Sequence, residues 1–449
     1  MSLDDIGAQL TGVSCGNPPS FSIAESTLSR GWAIPRYHVN SLCTIYRAAA
    51  QPTSANLHRR GFTLSTLLVA RQLITPLQVI DNAALLIEDR TITAIGRRTD
   101  MSIHGRTRVI DFGDAILAPG LIDIHIHGGA GHDVMEGDDA TLAAIERFMV
   151  RHGVTSYCPT TVTAPIDKTL HALDALGNAV ADADSHDGTR ARPLGIHLEG
   201  PFLSHAKRGV HPSSLLEPAS HELFDRMWQA TDGHVRILTI APEIEGAIDL
   251  IFESTRRGVV ASLGHSNAEL AAADQGIHAG ARHATHTFNA MRSLDHRDPG
   301  LLGAVLINDQ LTADIIADGI HVAPEVVDLF VRAKGIDRAV LITDAISATG
   351  MPDGTYSLGG LEVHVHDGRC EHQGRLAGSV LTLDQALRNI VQFAGVGLLH
   401  AIRMASCNPA RVLGIEDRKG TLSVGADADI AVFSPAGEVM HSIIGGIVH

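Results

Sequence analysis

Between residues 121 and 344 the chain alternates strand-like apolar runs with amphipathic, helix-like runs, and this alternation constrains the fold more than any other feature. Parallel strands must be joined by crossovers, usually helices, so a repeated alternation of this kind predicts a parallel sheet. Eight strand runs stand out, at 121–127, 154–159, 194–199, 236–241, 259–265, 282–286, 312–317 and 340–344. Helical patterns fill the gaps, for instance at 140–151, 168–180 and 268–279. Eight units and no glycine-rich dinucleotide fingerprint favour a closed barrel over an open doubly wound sheet. Short β-prone runs also occur at 66–70, 83–88 and 91–96, and again at 425–433 and 439–448. The expected fold class is therefore α/β, a (β/α)8 TIM-like barrel with a small β-sandwich domain formed from both chain ends. Its expected divisions are an N-terminal extension (1–60), the first part of the small domain (61–117), the barrel (118–407) and the second part of the small domain (408–449). The extension is rich in Ser, Asn, Pro and Ala, is expected to be disordered, and carries no functional signal.

With 449 residues, 45% hydrophobic and 19% charged, the chain has apolar material for one large core and an accessory domain. A formal charge of −15 without a Lys/Arg-rich run argues against a nucleic-acid or anionic-membrane surface. Any anionic ligand must then be captured locally. Cys15, Cys43, Cys158, Cys370 and Cys407 form no CxxC pair, which fits reduced thiols in a cytoplasm. No apolar run approaches the roughly 18 residues of a membrane helix, and the start lacks a secretory pattern, so neither membrane nor secretion is expected.

In a barrel of this type the chemistry sits where strands end. The first run ends in His125-Ile-His127, and alternation along a strand points both imidazoles into the barrel mouth. The third ends in His197-Leu-Glu199, the fifth in His265, the sixth in His286 and the eighth in Thr343-Asp344. Histidines and carboxylates converging on one rim suit one or two divalent ions. The chain has 26 histidines, so one strand-end His alone says little; five converging strands say much more. His283, three residues before His286, falls on the opposite face and is left out. His197 shares the inward face with Glu199 but is read as support for the ligands. Barrel hydrolases with this first-strand pair often use a fourth-strand lysine as bridging ligand, and residues 236–243 contain none. Glu199 can replace it, since a strand-three glutamate can bridge two ions, one held with His125 and His127 and the other with His265 and His286. Asp344 then stands free beside a metal-bound water.

In order along the chain follow Ala118-Pro-Gly-Leu-Ile-Asp-Ile-His-Ile-His-Gly128, Gly195-Ile-His-Leu-Glu-Gly-Pro-Phe-Leu203, Lys207-Arg-Gly-Val-His211, Leu263-Gly-His-Ser-Asn-Ala268, His286-Thr-Phe-Asn-Ala-Met291, Asp318-Gly-Ile-His321, Thr343-Asp-Ala345 and Arg375-Leu-Ala-Gly-Ser379. From about residue 64 onwards the chain resembles the N-acetylglucosamine-6-phosphate deacetylases of the amidohydrolase superfamily. Asn408-Pro-Ala and the 420–430 stretch are general to amidohydrolases, whereas the Glu-Gly-Pro and Phe-Asn-Ala-Met motifs are particular to the deacetylases.

The resemblance implies that Glu199, His265 and His286 hold the essential metal, that His125 and His127 can hold a second ion, and that Asp344 is the catalytic acid/base. One or two divalent ions per subunit are expected, zinc first, since His and carboxylate sites also accept iron, manganese or cobalt. Asn289, Ala290, Arg297, Asp318 and His321 are expected to bind the sugar phosphate, with Arg297 supplied by a neighbouring subunit of a homodimer or higher even oligomer. Val210 and His211 are expected at the substrate, His211 as a second donor to the acetyl carbonyl, and Leu376, Ala377 and Gly378 in a loop closing over the sugar. Singly, Arg297 also reads as a surface ion-pair partner, Asn289 as a turn cap and His321 as a loop hydrogen-bonder. Met291 and Phe288 are read as packing. The expected reaction releases acetate and glucosamine 6-phosphate. Its rivals are another amide, such as that of N-acetylgalactosamine 6-phosphate, and a non-catalytic sugar-phosphate-binding barrel.

Overall fold

The computed structural model describes residues 65–102, 107–185 and 187–449, so the expected extension over 1–60 lies outside the described residues. All eight expected barrel strands are present: Leu121–Ile126, Val154–Thr161, Ile196–Glu199, Val235–Ile240, Val260–Leu263, His283–Ala284, Ala313–Ile316 and Ala339–Ile342. They are numbered one to eight below. Parallel ladders join strands one to six in order and strand seven to strand eight. Strands six and seven meet through Thr312 N–H to Arg282 O (3.0 Å) and Thr287 N–H to Asp314 O (2.9 Å). Strand eight returns to strand one through Asp344 N–H to His125 O (2.9 Å) and His127 N–H to Ala345 O (2.8 Å). The ring closes as a TIM-like barrel.

These strands form because their residues are apolar on both faces, as a sheet covered by helices outside and filled inside demands. Ile315, Ile316, Val340, Leu341 and Ile342 are all fully buried. The helix Asp139–Val150 shows the outer layer at work. The Asp138 side chain accepts the N–H of Thr141 to cap it, and Leu142, Ile145 and Met149 turn one stripe into the core. Each such side chain contributes about 2 kcal/mol of burial. Helices Ile166–Asp182 and Leu270–Ala279 fill the other two expected positions.

Three strands end two residues earlier than expected. The runs 259–265, 282–286 and 340–344 leave the ladder before His265, His286 and Asp344, which sit at φ +47°, +31° and +51°. Left-handed backbone is unfavourable for a residue with a Cβ, and here it turns the chain at the rim so that the side chain is aimed across the mouth.

Both chain ends share one eight-stranded sheet. Ile430–Phe433 pairs antiparallel with Ile116–Pro119, which lies beside Ser65–Ile74, while Val79–Glu88 and Thr91–Arg97 continue on the other side. Leu68, Leu73, Leu85, Ile92, Leu117, Ile430 and Val432 form its core. Helix Cys407–Val412 runs through the expected boundary at 408, and Ala410 packs in the barrel core.

A second sheet was not anticipated. Gly354–Leu358, Leu361–His366, Arg369–His372 and Arg375–Leu376 form an antiparallel meander after strand eight. Its tight turns carry Asp367-Gly368 and Gln373-Gly374, all at positive φ. Among the described residues no helix is long and apolar enough to cross a membrane.

Candidate active site

Strand one delivers His125 and His127 with their Nε2 atoms 3.3 Å apart. Glu199, at the end of strand three, lies at the centre. Its Oε1 is 3.0 Å from His286 Nε2, 3.2 Å from His265 Nε2 and 3.4 Å from His125 Nε2, and its Oε2 is 3.3 Å from His127 Nε2. The Nε2 atoms of His265 and His286 are 2.9 Å apart. Asp344 Oδ1 completes the group, 3.0 Å from His127 Nε2 and 3.5 Å from His125 Nε2. All six residues are buried.

The outer ring atoms show what the inner ones can do. His127 Nδ1 lies 2.9 Å from Thr160 O and His265 Nδ1 lies 3.1 Å from Lys207 O. A carbonyl only accepts, so in each neutral ring the proton is on Nδ1 and the Nε2 lone pair faces the centre. Imidazoles anchored in this way, around a carboxylate, are the arrangement of metal ligands whose orientation is held from behind. His125 Nδ1 and His286 Nδ1, both buried, have no partner.

The charged groups of the cluster perturb one another strongly. Burial pushes Glu199 up, but His125 and the hydrogen bonds of His125, His127 and His211 outweigh it and hold its carboxyl well below the usual range. Burial likewise opposes the low value of Asp344, about 2, which His125 and His127 enforce. Burial lowers both His265 and His286. His265 falls to about 4, whereas Glu199 overrides burial at His286 and lifts it to about 9. The nitrogen and oxygen lone pairs that share protons here are the ones a divalent cation would take, so the donor set fits one.

His197 lies with its ring 4.6 Å from that of His125. Its Nδ1 faces Ile124 O at 3.0 Å and its Nε2 faces Thr239 Oγ1 at 2.7 Å, so neither nitrogen is left for an ion. Burial holds it well below the usual histidine range, neutral. His211 is held differently. The backbone N–H of Thr163 donates to its Nδ1 at 3.3 Å, with Thr163 Oγ1 2.7 Å away. A nitrogen that accepts carries no proton, so His211 bears its hydrogen on Nε2, 3.6 Å from Glu199 Oε2. Proximity alone would group His211 with Glu199 and His265 as a ligand, since their donor atoms lie within 4.8 Å. The tautomer makes it a donor into the site.

A cavity of about 200 Å³ opens above these groups, lined by His127, Glu199, Val210, His211, His265, His286, Asn289, Ala290, His321, Asp344, Leu376 and Gly378. Most of the expected substrate residues thus meet at one mouth. Asn289 presents a buried Nδ2 without a partner. Three expected contacts lie elsewhere. Asp318 stands behind His321, with Oδ2 2.6 Å from His321 Nδ1 and Oδ1 accepting the N–H groups of Ile320 and His321. Ala377 is buried in the core beneath the meander. Arg297 is exposed in the 293–297 loop, where its N–H binds Asp295, away from this cavity. Phe288 and Met291 pack as expected, Met291 within the core and Phe288 against Phe330.

Sequence reasoning passed over Asp123. Its Oδ2 accepts from Thr343 Oγ1 at 2.6 Å and its Oδ1 from His125 N–H at 3.3 Å, which fastens strand eight to strand one beside Asp344. Burial raises its carboxyl to about 6 against those hydrogen bonds. The signal was available: Asp123 continues the period of two set by His125 and His127.

The amidohydrolase family model matches residues 116–448. The chain is 37% identical to N-acetylglucosamine-6-phosphate deacetylase of Bacillus subtilis (strain 168), over 83% of this chain and 94% of that protein. It is 39% identical to N-acetylgalactosamine-6-phosphate deacetylase of Escherichia coli O157:H7, over 82% and 94% respectively. Among solved structures, a mutant N-acetyl-D-glucosamine-6-phosphate deacetylase of Mycobacterium smegmatis in complex with N-acetyl-D-glucosamine-6-phosphate superposes with a TM-score of 0.80 at 33% identity, covering 86% of this chain and 99% of that one. Family model, relatives and barrel agree with the rim of histidines and carboxylates, and the chain belongs to the amidohydrolase family and, within it, to the N-acetylglucosamine-6-phosphate deacetylases.

Proposed function

We propose that this protein is a divalent-metal-dependent hydrolase that splits the amide of N-acetylglucosamine 6-phosphate into glucosamine 6-phosphate and acetate. The observation that carries the reading is the convergence of Glu199, His265 and His286 within 3.2 Å of one another, with Asp344 beside them at the cavity floor. Glu199, His265 and His286 hold the essential ion, and His125 and His127 complete a second position. Zinc suits this donor set, as do iron, manganese and cobalt. When bound, such an ion polarises a carbonyl and lowers the pKa of water from about 15.7 towards about 7. Asp344, ionised at neutral pH, accepts a proton from the attacking water and returns it to the amide nitrogen as the C–N bond breaks. His211 donates its Nε2–H to the acetyl oxygen as negative charge builds there.

The phosphate takes no part in bond breaking, and its binding energy positions the amide. Asn289 Nδ2, the Ala290 backbone and His321, held in place by Asp318, meet it, and Arg297 reaches it from a neighbouring subunit of a homodimer or higher even oligomer. Val210, Leu376 and Gly378 close around the sugar, with Ala377 supporting their loop. We place the protein in the cytoplasm. We also divide the chain at 61–117, 118–407 and 408–449, with a small β-sandwich from the two ends and helix Cys407–Val412 straddling the last boundary.

Acetate release by metal-replete protein tests the function. Turnover should require the 6-phosphate and disappear after dialysis against a chelator. No acetate from any metal-loaded form would overturn the assignment. A second reading, the galactosamine epimer as preferred substrate, is favoured by the similarity to the E. coli O157:H7 relative over nearly its full length. Comparison of kcat/KM for the two epimers decides it.

A further inference from the structure

His283 and Asp314 do not line the cavity, yet they form a buried chain that ends on the backbone of His286. The ladder of strand six stops at Ala284, and Thr285 N–H still reaches Leu263 O at 3.1 Å. One residue later His286 adopts φ +31°, so its N–H leaves the sheet inside the protein, where water cannot satisfy it. Asp314 Oδ1 accepts that N–H. Its other oxygen, Oδ2, lies 3.0 Å from His283 Nε2, and His283 Nδ1 lies 2.7 Å from Thr312 Oγ1. His283 and Asp314 are both about 1% exposed or less. Outside the cluster of ligands the His286 side chain has no hydrogen-bond partner among the described residues, because its Nδ1 has none, and its backbone is held by Asp314 at the N–H and by the N–H of Asn289, 2.9 Å away, at the carbonyl. His127 and His265, by contrast, are each held through Nδ1 by a backbone carbonyl.

We propose that Asp314 and His283 are positioning residues for the metal site: the pair fixes the backbone of His286 and so does for this ligand what a carbonyl does for His127 and His265. The proposal rests on the reading of His286 as a ligand. Ligands whose outer partners are removed typically lose about 10- to 100-fold in metal affinity.

The test is the dissociation constant of the full-length protein for Zn²⁺, measured by competition with a chromophoric chelator, together with the unfolding midpoint of the metal-free form. Asp314→Ala should weaken zinc binding by about 10- to 100-fold. Should that variant fail to fold, His283→Phe, which removes the donor to Asp314, and His283→Gln, which retains an N–H donor, decide the matter. The Phe variant should bind zinc more weakly and the Gln variant should recover affinity, a rescue that a general loss of packing does not produce. Unchanged zinc affinity in a folded Asp314→Ala or His283→Phe variant overturns the proposal. His286→Ala serves as the reference: if it leaves zinc affinity unchanged, the ligand reading fails first, whereas weakening in that variant alone defeats only the positioning role.

Discussion

Replacing His211 by Phe separates two roles that distance alone confuses. As a ligand, His211 would offer a lone pair at Nε2. The geometry denies this, since Nδ1 accepts the Thr163 backbone N–H and the ring proton is therefore on Nε2. Phe keeps the edge-to-face ring contact with His265, whose centroid is 4.7 Å away, and so disturbs that neighbour little. What disappears is one N–H donor aimed at the developing oxyanion. Loss of a single such donor costs about 10²- to 10³-fold in kcat, or roughly 2.7–4 kcal/mol. The Thr163 N–H also loses its acceptor in a buried place, at a further cost of about 1–3 kcal/mol in stability. The assay pairs kcat for acetate release with metal content by elemental analysis after loading and dialysis. Metal content should match the unsubstituted protein while kcat falls, and His211→Gln, with an acceptor and a donor on one arm, should recover part of the rate. If the Phe variant loses metal as His265→Ala does, the tautomer argument is wrong. A kcat within threefold of the original would equally remove His211 from the chemistry.

Asp344→Asn should lower kcat by about 10²- to 10⁴-fold with KM nearly unchanged, because a proton acceptor is lost while the cavity keeps its shape; an active variant would move the acid/base role elsewhere. Asp384, bonded to His152 at 3.0 Å, has its carboxyl pulled down to about 2 by His152, Thr382 and Arg388 against the opposing effect of burial. A depressed carboxyl contributes stability above its unfolded value near 3.8 and loses it as pH falls through about 2. Asp384→Asn should therefore cost about 2 kcal/mol at pH 7 and almost nothing near pH 2, by denaturant unfolding at both pH values. Gly378→Ala places a Cβ at φ +59°, 2.3 Å from Ile346 Cγ2 and 3.0 Å from Asp344 O. It should destabilise by about 1–3 kcal/mol and lower kcat/KM, and a neutral outcome in both would mean that the loop yields freely.

How far the molecule was legible depended on whether the physics was local. Buried parallel strands announce themselves as continuous apolar runs, so all eight were found, and the period of two was enough to pair His125 with His127. The strand ends at His265, His286 and Asp344 were less legible. Their strands stop early, and a left-handed residue aims the side chain, a conformation that a non-glycine residue does not advertise. The meander at 354–376 was legible and passed over. The Asp367-Gly368 turn and the alternation in Leu361–His366, whose buried residues are Val363 and Val365, are ordinary hairpin signals.

Asp318 illustrates a different limit. Its motif placed it correctly beside His321, but whether a carboxylate three residues from a histidine faces the ligand or the histidine is settled by the turn between them, where Asp318 accepts the N–H groups of both Ile320 and His321. His283 is the converse case. The argument that set it aside, that it points away from His286, is compatible with a role at the site, because the opposite face of a strand is where a ligand's backbone can be gripped from behind. Facing direction therefore separates residues that can touch the ion from those that cannot. It does not separate residues that matter to the ion from those that do not, and for a rim built from strained strand ends the second group includes whatever supplies partners to the displaced backbone.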